Sequence, residues 1–211
     1  MKKYELTTNT KMHFGHKLFQ IKALISFKDV EKGDLGGWIE KEGNLDQDGN
    51  AWVYGNAWVY GNAWVYGDAR VYGDARVCGD AWVYGDAWVY GDARVCEDAW
   101  VCGDARVYGD ARVCGDARVY GNARVCGDAW VYGDADYLTI RGIGSRYAVT
   151  TVTRTKDGII QVACGCFFGT LEEFKAQVKK THGDSQFAKE YELFCQIIEV
   201  HFGGLKDDRQ T

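Results

Sequence analysis

Residues 51–134 repeat one six-residue unit, Ala-(Trp/Arg)-Val-(Tyr/Cys)-Gly-(Asp/Asn), fourteen times without an insertion. The single departure from this pattern is Glu97, which stands at a glycine position. Because side chains alternate along a strand, the alanine and valine point one way and the central tryptophan or arginine points the other way. Glycine followed by aspartate or asparagine favours a corner. One strand and one corner cannot bury an apolar face alone, so the units must stack into a solenoid.

The hexads resemble those of the left-handed β-helix, a family in which three hexads form one triangular coil. This resemblance implies a left-handed, mainly β solenoid of about five coils, each about 18 residues long. Equivalent positions of successive coils would then stack, and the outward side chains would form three faces. The first face is Trp52, Arg70, Trp88, Arg106 and Arg124, the second is Trp58, Arg76, Arg94, Arg112 and Trp130, and the third is Trp64, Trp82, Trp100 and Arg118.

The repeat also sets the charge of the chain. The formal net charge is -5, and residues 51–134 hold eleven aspartates and Glu97 against seven arginines. A general nucleic-acid binder carries the opposite balance, so we do not expect such binding. There is no proline, and most of the 27 glycines belong to the repeat and not to a disordered linker.

The cysteines indicate a reducing compartment. Five of the eight occupy the Tyr/Cys position of the hexad, where cysteine replaces another apolar residue. The N-terminus lacks the apolar core of a signal peptide, and no run is long enough to span a membrane, so we expect a cytoplasmic protein with reduced thiols and no membrane association. The pair in Cys164-Gly165-Cys166 lacks the second pair that a tetrahedral zinc site needs, and we predict no metal site.

Residues 1–42 are predicted to form a β-rich cap on the solenoid. A buried or half-buried strand is expected at 18–25, after a turn at 14–16 and before a loop at 33–37. Residues 43–136 are the predicted repeat domain, whose first coil keeps the Gly-Asn spacing but loses the Ala-x-Val strand. An uncovered solenoid end would expose backbone groups and apolar side chains, which is why a cap is expected here.

Residues 137–211 change character and predict a small α+β domain. Thr170 and Glu173 have the spacing of a capping box, which starts a helix. The predicted strands are 137–140, 147–153 and 159–164, and the predicted helices are 171–181 and about 185–201.

Two segments flanking the repeat carry a further resemblance. The motif Gly33-Asp34-Leu35-Gly36-Gly37-Trp38-Ile39-Glu40, followed by Gly-(Asp/Asn)-Ala-Arg-Val-Tyr hexads, is similar to a group of bacterial and prophage-encoded hexapeptide-repeat proteins. The run Cys164-Gly165-Cys166-Phe167 and the later Thr181-His182-Gly183-Asp184 resemble a domain attached to such repeats in Firmicutes prophages. This resemblance implies the fold and a prophage origin, and it implies no activity.

An acyltransferase with this repeat would need a histidine as general base and a loop that interrupts the coil to build a pocket. All four histidines lie outside the hexads, and no loop interrupts them. We therefore predict that the protein is not an enzyme, with no catalytic residues and no cofactor. The function that we predict is that of an interaction module, a phage accessory factor that binds a host component such as a defence protein or its nucleotide signal.

The outward tryptophans and arginines have two compatible interpretations. They can stack on their neighbours in the same column and stabilise the solenoid, or they can form an interface. A flat Trp-Arg surface suits a protein partner, a second copy in a two-fold homodimer, or a nucleotide base. The candidate binding residues are Trp64, Trp82, Trp100 and Arg118 on the third face, and Arg76, Arg94 and Arg112 on the second face.

Two alternatives stay open. Solenoids can also polymerise end to end as a structural scaffold, although two capped ends argue against open filaments. In the C-terminal domain, Ser145, Arg146, Lys156 and Asp157 are the polar residues that we expect at one strand edge, where they form either a binding site or ordinary hairpin loops.

Overall fold

The computed structural model describes residues 1–203. The chain divides into two compact units, which we call the solenoid unit (Met1–Asp134) and the C-terminal unit (Ala135–Thr211). The solenoid unit is a β-solenoid in which three hexads make one coil, and the C-terminal unit combines an antiparallel sheet with two helices. The predicted mainly β fold with a small α+β domain is confirmed.

The hexads form fourteen two-residue strands, one in each unit of the repeat. These are β4 Trp52–Val53, β5 Trp58–Val59, β6 Trp64–Val65, β7 Arg70–Val71, β8 Arg76–Val77, β9 Trp82–Val83, β10 Trp88–Val89, β11 Arg94–Val95, β12 Trp100–Val101, β13 Arg106–Val107, β14 Arg112–Val113, β15 Arg118–Val119, β16 Arg124–Val125 and β17 Trp130–Val131. The cap precedes them as β1 Tyr4–His13, β2 His16–Ala23, β3 Leu35–Ile39 and a 3₁₀ turn at Glu42–Asn44.

Strands three hexads apart pair in parallel and in register, so the three predicted faces exist as three sheets. Trp88 pairs with Arg70 on one side and with Arg106 on the other. The Trp88 N–H donates to the carbonyl of Ala105 at 2.9 Å, and this pattern recurs from coil to coil. Every hexad alanine and valine is buried, which confirms the predicted core.

The cap extends the sheet of the second face. β1 and β2 form an antiparallel hairpin, β2 pairs with β3, and β3 lies parallel to β5. The prediction of a loop at 33–37 is wrong for its second half, because Leu35–Ile39 is a strand. Gly36 and Gly37 allow this strand to lie directly on the first coil, since a Cβ at Gly37 would stand 2.6 Å from the Ala57 carbonyl oxygen. The strand β1 was not predicted.

The cap also supplies donors to the carbonyls of the first coil, which have no coil above them. On each face the alanine carbonyl of the first coil accepts one of these bonds: Trp38 N to Ala57 O (2.9 Å), Asn44 Nδ2 to Ala63 O (2.8 Å) and Lys3 Nζ to Ala51 O (3.0 Å). Buried carbonyls without a partner would cost roughly 1–3 kcal/mol each. The N-terminal end of the solenoid is therefore closed by hydrogen bonds and not by apolar contact alone.

The C-terminal unit is a four-stranded antiparallel sheet covered by two helices. Its elements are β18 Tyr137–Ile140, β19 Thr150–Arg154, β20 Ile160–Cys164, β21 Phe167–Thr170, α1 Leu171–His182 and α2 Gln186–Gly203. Val152 and Val162 from the sheet share a buried core with Phe174 of α1. The predicted capping box is confirmed, since Thr170 N donates to Glu173 Oε2 at 2.8 Å. The strand β21 was not predicted.

A first prediction concerns the corner glycines of the third face. Gly85 and Gly121 both have positive φ, but a Cβ at Gly85 would lie 3.0 Å from the Gly103 nitrogen, whereas a Cβ at Gly121 would meet nothing within 4 Å. Gly85→Ala should therefore lower the free energy of unfolding by about 1–3 kcal/mol more than Gly121→Ala, which carries the backbone cost alone. Urea denaturation of both variants measures this difference, and equal losses would contradict the stacking of one corner on the next.

A second prediction concerns the pH dependence of the cap. Burial lowers the pKa of Lys3 from 10.5 to about 8, against the opposing charges of Asp46, Asp48 and Asp68. Between these pH values the unfolded chain binds more protons than the folded chain, so the contribution of Lys3 to stability rises with pH.

Since the Lys3 side chain is buried, this rise can reach at most about 3 kcal/mol. Unfolding free energies of the wild type and Lys3→Met, compared from pH 8 upward, isolate the contribution of this group from the tyrosines and cysteines. The wild type should gain relative to the variant, and a constant difference would disprove the assignment.

Candidate interaction surface

The three faces of the solenoid differ in how much of their central side chains is covered. On the first face, Trp52 is only 1% exposed, because the rings of Tyr4 and Phe27 lie 6.1 and 5.5 Å from it. Its side chain points out of the solenoid, as predicted, but the cap buries it. This tryptophan is therefore structural and offers no surface to a partner.

Further along the first face, Trp88 lies between two arginines. The guanidinium carbons of Arg70 and Arg106 stand 5.5 and 5.0 Å from its ring centre. Such contacts stabilise by roughly 0.5–1 kcal/mol each at exposed positions. The stacking of tryptophan on arginine within a column, one of the two interpretations of the sequence, is thus present.

The second face carries the three arginines that the sequence proposed as binding residues. Arg76 stacks on Trp58 at 5.0 Å, and Arg112 stacks on Trp130 at 4.7 Å. Arg94 lies between these two arginines in the column and is exposed. The face is therefore positively charged at its middle.

At the N-terminal end of the second face, a side chain of the cap covers part of the surface. The ring of His13, from β1, stands 4.3 Å from the ring of Trp58 and 5.6 Å from the ring of Tyr60. Trp58 is half-buried as a result.

The third face is the one on which tryptophans stay open. Trp64 and Trp82 are each 36% exposed. The rings of Trp82 and Trp100 stack at 5.1 Å with an angle of 2° between their planes, and the guanidinium of Arg118 lies 4.9 Å from the Trp100 ring. These four predicted residues form one column, which we call the tryptophan ladder.

Tyrosines at the following corner widen this surface. Tyr66 stacks on Trp64 at 4.1 Å and on Tyr84 at 4.8 Å, the latter with an angle of 7°. A hydrogen bond with Cys102, together with burial, raises the pKa of Tyr84 to about 12. The tyrosine edge therefore stays neutral at physiological pH and extends the apolar surface of the ladder.

Two rows of aspartates border the tryptophan ladder. One row precedes its strands and the other follows the tyrosine corner, and in each row the carboxylates recur once per coil, about 4.8 Å apart. The rows are Asp80, Asp98 and Asp116 on one side and Asp68, Asp86 and Asp104 on the other side. In the row that precedes the strands, the first coil has asparagine instead of aspartate, and this Asn62 donates to Asp80 Oδ1 at 3.0 Å. The third face is thus an apolar strip between two rows of carboxylates, of which Asp68 is paired with Lys28 at 2.6 Å.

The corner cysteines of the second face form a column of their own, made of Cys78, Cys96 and Cys114. The structure joins Cys96 and Cys114 in a disulfide between successive coils, with 4.7 Å between their Cα atoms. The expectation that all thiols are reduced is therefore wrong for these two residues. The stacking of one coil on the next explains the difference, since it places equivalent side chains of successive coils side by side.

In the C-terminal unit, the structure separates the four candidate residues into two pairs. Ser145 and Arg146 line a cavity of about 190 Å³, together with Cys166, His182 and Tyr191. Arg146 Nη1 lies 3.6 Å from the Cys166 sulfur.

The other pair, Lys156 and Asp157, lies in the exposed turn between β19 and β20. This turn is at the opposite end of the hairpin from Cys164, which also lines the cavity. Sequence reasoning did not place His182 and Tyr191 at this cavity, because the packing of α1 and α2 on the sheet brings them there.

Two general properties follow from the described part of the chain. Within residues 1–203, no three side chains of histidine, cysteine, aspartate or glutamate are placed to hold a metal ion together. None of the helices in this range is long and apolar enough to cross a membrane.

The fold and its faces define the class: this is a β-solenoid repeat protein. A family model described as the YdcK beta solenoid repeat matches less than half of the chain, in overlapping windows within the hexads. The windows are 51–67, 63–79, 69–85, 75–91, 99–115, 105–119, 111–127 and 117–133. A search of curated proteins gave no match. The similarity therefore supports the repeat fold and assigns no partner or activity.

A third prediction tests the structural role of stacking on the first face. Trp88→Leu should lower the free energy of unfolding by about 1–2 kcal/mol, because it removes two guanidinium contacts. In a double-mutant cycle with Arg106→Met, the two losses should be less than additive by about 0.5–1 kcal/mol. Additive losses would show that the pair does not interact.

Proposed function

We propose that the protein is a non-catalytic interaction module that binds a protein partner through the tryptophan ladder, and that a second copy of the chain is its first such partner. The observation that carries this proposal is the exposure of Trp64 and Trp82, 36% each, on an otherwise rigid column. Exposed aromatic surface of this kind is typical of interfaces.

The rigidity of the ladder supports binding. Trp82 and Trp100 are already stacked, as are Tyr66 and Tyr84, so these side chains lose little conformational freedom when a partner covers them. The favourable term is the release of water from the apolar strip. On the second face, Arg76 and Arg112 stack on tryptophans of their own column, so we assign these two arginines to stabilisation of the solenoid.

Self-association through the ladder should give a two-fold dimer of low affinity. A self-complementary strip is covered most simply by a two-fold dimer. The ladder spans only four strands, about 14 Å from first to last, which is too short for it to bury the roughly 800 Å² per partner of a standard interface. We therefore expect a weak, concentration-dependent dimer.

The aspartate rows beside the ladder make the effect of salt on binding depend on the kind of partner. In a dimer the aspartate rows of the two copies approach each other, so added salt should strengthen the contact by screening their repulsion. A different protein that covers the same strip with lysines or arginines at its edges would be released by salt. Salt dependence thus separates the two kinds of partner.

The capped N-terminal end supports contact from the side and not end to end. The carbonyls of the first coil already receive hydrogen bonds from Lys3, Trp38 and Asn44, so no open row of acceptors is left there for another coil. We therefore place the structural-scaffold alternative second.

The wider partner class rests on the resemblance to prophage-encoded repeat proteins. On that basis a component of the bacterial host, either a defence protein or its nucleotide signal, is the partner to test first outside self-association. Affinity capture from host lysate on wild-type protein and on Trp82→Glu, read by mass spectrometry for proteins and nucleotides, identifies what the ladder holds. Material captured equally by both proteins does not bind to the ladder.

The fourth prediction tests the dimer directly. The mass of the wild type in solution should rise toward that of a dimer with protein concentration and with salt, whereas Trp82→Glu should stay monomeric. Arg94→Glu, a charge change at an exposed strand centre on the second face, is the matched control and should dimerise like the wild type. Sedimentation equilibrium measures all three, and circular dichroism checks their folding. A monomeric wild type, or a dimer that Trp82→Glu leaves intact, would reject this interface.

A further inference from the structure

The cysteine column on the second face has a property that the interaction surface does not use. Its three residues are one coil apart from each other: Cys78 N donates to Val95 O at 2.9 Å, and Cys96 N donates to Val113 O at 3.0 Å. The step from Cys78 to Cys96 therefore repeats the step from Cys96 to Cys114. The latter step places the two Cα atoms 4.7 Å apart, within the range that a disulfide spans.

We propose that this column is a disulfide-exchange site, in which Cys96 bonds to either of its two neighbours. The structure holds one of the two states, the bond between Cys96 and Cys114. In the other state the bond joins Cys78 and Cys96, and Cys114 is a free thiol. Cys96 is common to both states because it is the middle member of the column.

The exchange is balanced without an external oxidant. The deprotonated sulfur of Cys78 attacks the sulfur of Cys96, the bond from Cys96 to Cys114 breaks, and Cys114 leaves as a thiolate. Cys114 then takes up the proton that Cys78 released. One disulfide and one thiol are present before and after, so no electrons enter or leave the protein. The column places the attacking and leaving residues on opposite sides of Cys96.

The geometry allows exchange only within this column, and each of its disulfides must include Cys96. Cys78 and Cys114 are two coils apart, about 10 Å, which is too far for a direct disulfide. Cys102, on the third face, has Tyr84 and Tyr120 as its neighbours in the preceding and following coils and cannot take part.

The surroundings of Cys78 determine when it can attack. Burial raises the pKa of its thiol above the ordinary value, and Glu97 adds to this, whereas a hydrogen bond with Tyr60 and the guanidinium groups of Arg94 and Arg76 oppose it. Since the thiolate is the attacking form, exchange should accelerate with rising pH. Cys78 is partly exposed and Cys114 is buried, so exchange changes which thiol meets solvent.

The sequence makes the two states easy to distinguish. Trypsin cleaves after arginine, and the arginines between the cysteines put Cys78, Cys96 and Cys114 into the separate peptides 77–94, 95–106 and 113–118. Free thiols are alkylated with N-ethylmaleimide in acid before digestion under non-reducing conditions. Fragmentation of the cross-linked peptides then distinguishes Cys96 from Cys102, which shares its peptide.

The decisive experiment, and the fifth prediction, uses Cys114→Ser in a buffer with oxidised glutathione, a low-molecular-weight disulfide. Two thiols and one glutathione disulfide give the Cys78–Cys96 bond and two reduced glutathione molecules, so peptides 77–94 and 95–106 should appear cross-linked. Cys96→Ser should show no bond within the column. Cys102→Ser is the matched control and should show the wild-type pattern.

The wild type provides a test that needs no variant at the column. Incubated at alkaline pH, it should yield both cross-linked pairs, 95–106 with 113–118 and 77–94 with 95–106. If the wild type shows only the first pair at every pH, the exchange proposal is overturned. It is equally overturned if a folded Cys114→Ser, checked by circular dichroism, has Cys78 and Cys96 fully alkylated after treatment with glutathione disulfide.

Discussion

The structure depends on one interaction that recurs along the solenoid unit, the hydrogen bond from a backbone N–H to a carbonyl of the next coil, as from Trp88 to Ala105. It fixes the vertical step between coils at about 4.8 Å and holds equivalent residues in register. In the inner coils the strand backbone bonds to the coils on either side, whereas the first coil receives donors from the cap and Arg118 N, in the last coil, donates to the Asp134 side chain. The small core of alanine and valine can be sufficient because every coil repeats it without a gap.

Register has consequences for each kind of side chain. Aromatic rings stack on aromatic rings or guanidinium groups, which is favourable, and carboxylates stand above carboxylates, which is not. Corner glycines such as Gly85 are required twice, by their positive φ and by the backbone of the next coil, whereas Gly55 and Gly121 are required by their positive φ alone. Glu97 is the one residue other than glycine at this corner position. It adopts a φ of 61°, and its carboxylate accepts a hydrogen bond from Gly115 N at 2.8 Å.

Because the coils are in register, residues that recur once per coil in the sequence lie in one column on the surface. A tryptophan placed once in every coil becomes a ladder, and a cysteine placed once in every coil becomes a column in which neighbouring sulfur atoms can bond. The proposed interface and the proposed exchange site thus arise from the same geometry on different faces. Their difference lies in chemistry: Trp82 and Trp100 present an apolar surface, whereas Cys96 and Cys114 link two coils covalently.

The sequence by itself determined the repeat, its inward alanines and valines, and the composition of the three faces, because each of these follows from a fixed period and from the alternation of side chains. It also determined the start of α1 through Thr170 and Glu173, a local signal. Only the tertiary structure decided which tryptophans stay open. Trp52 and Trp64 occupy the same place in their hexads, yet the cap covers the first and leaves the second exposed. The strand Leu35–Ile39, the disulfide between Cys96 and Cys114, and the cavity beside Arg146 likewise depend on which distant segments meet, and no local pattern encodes that.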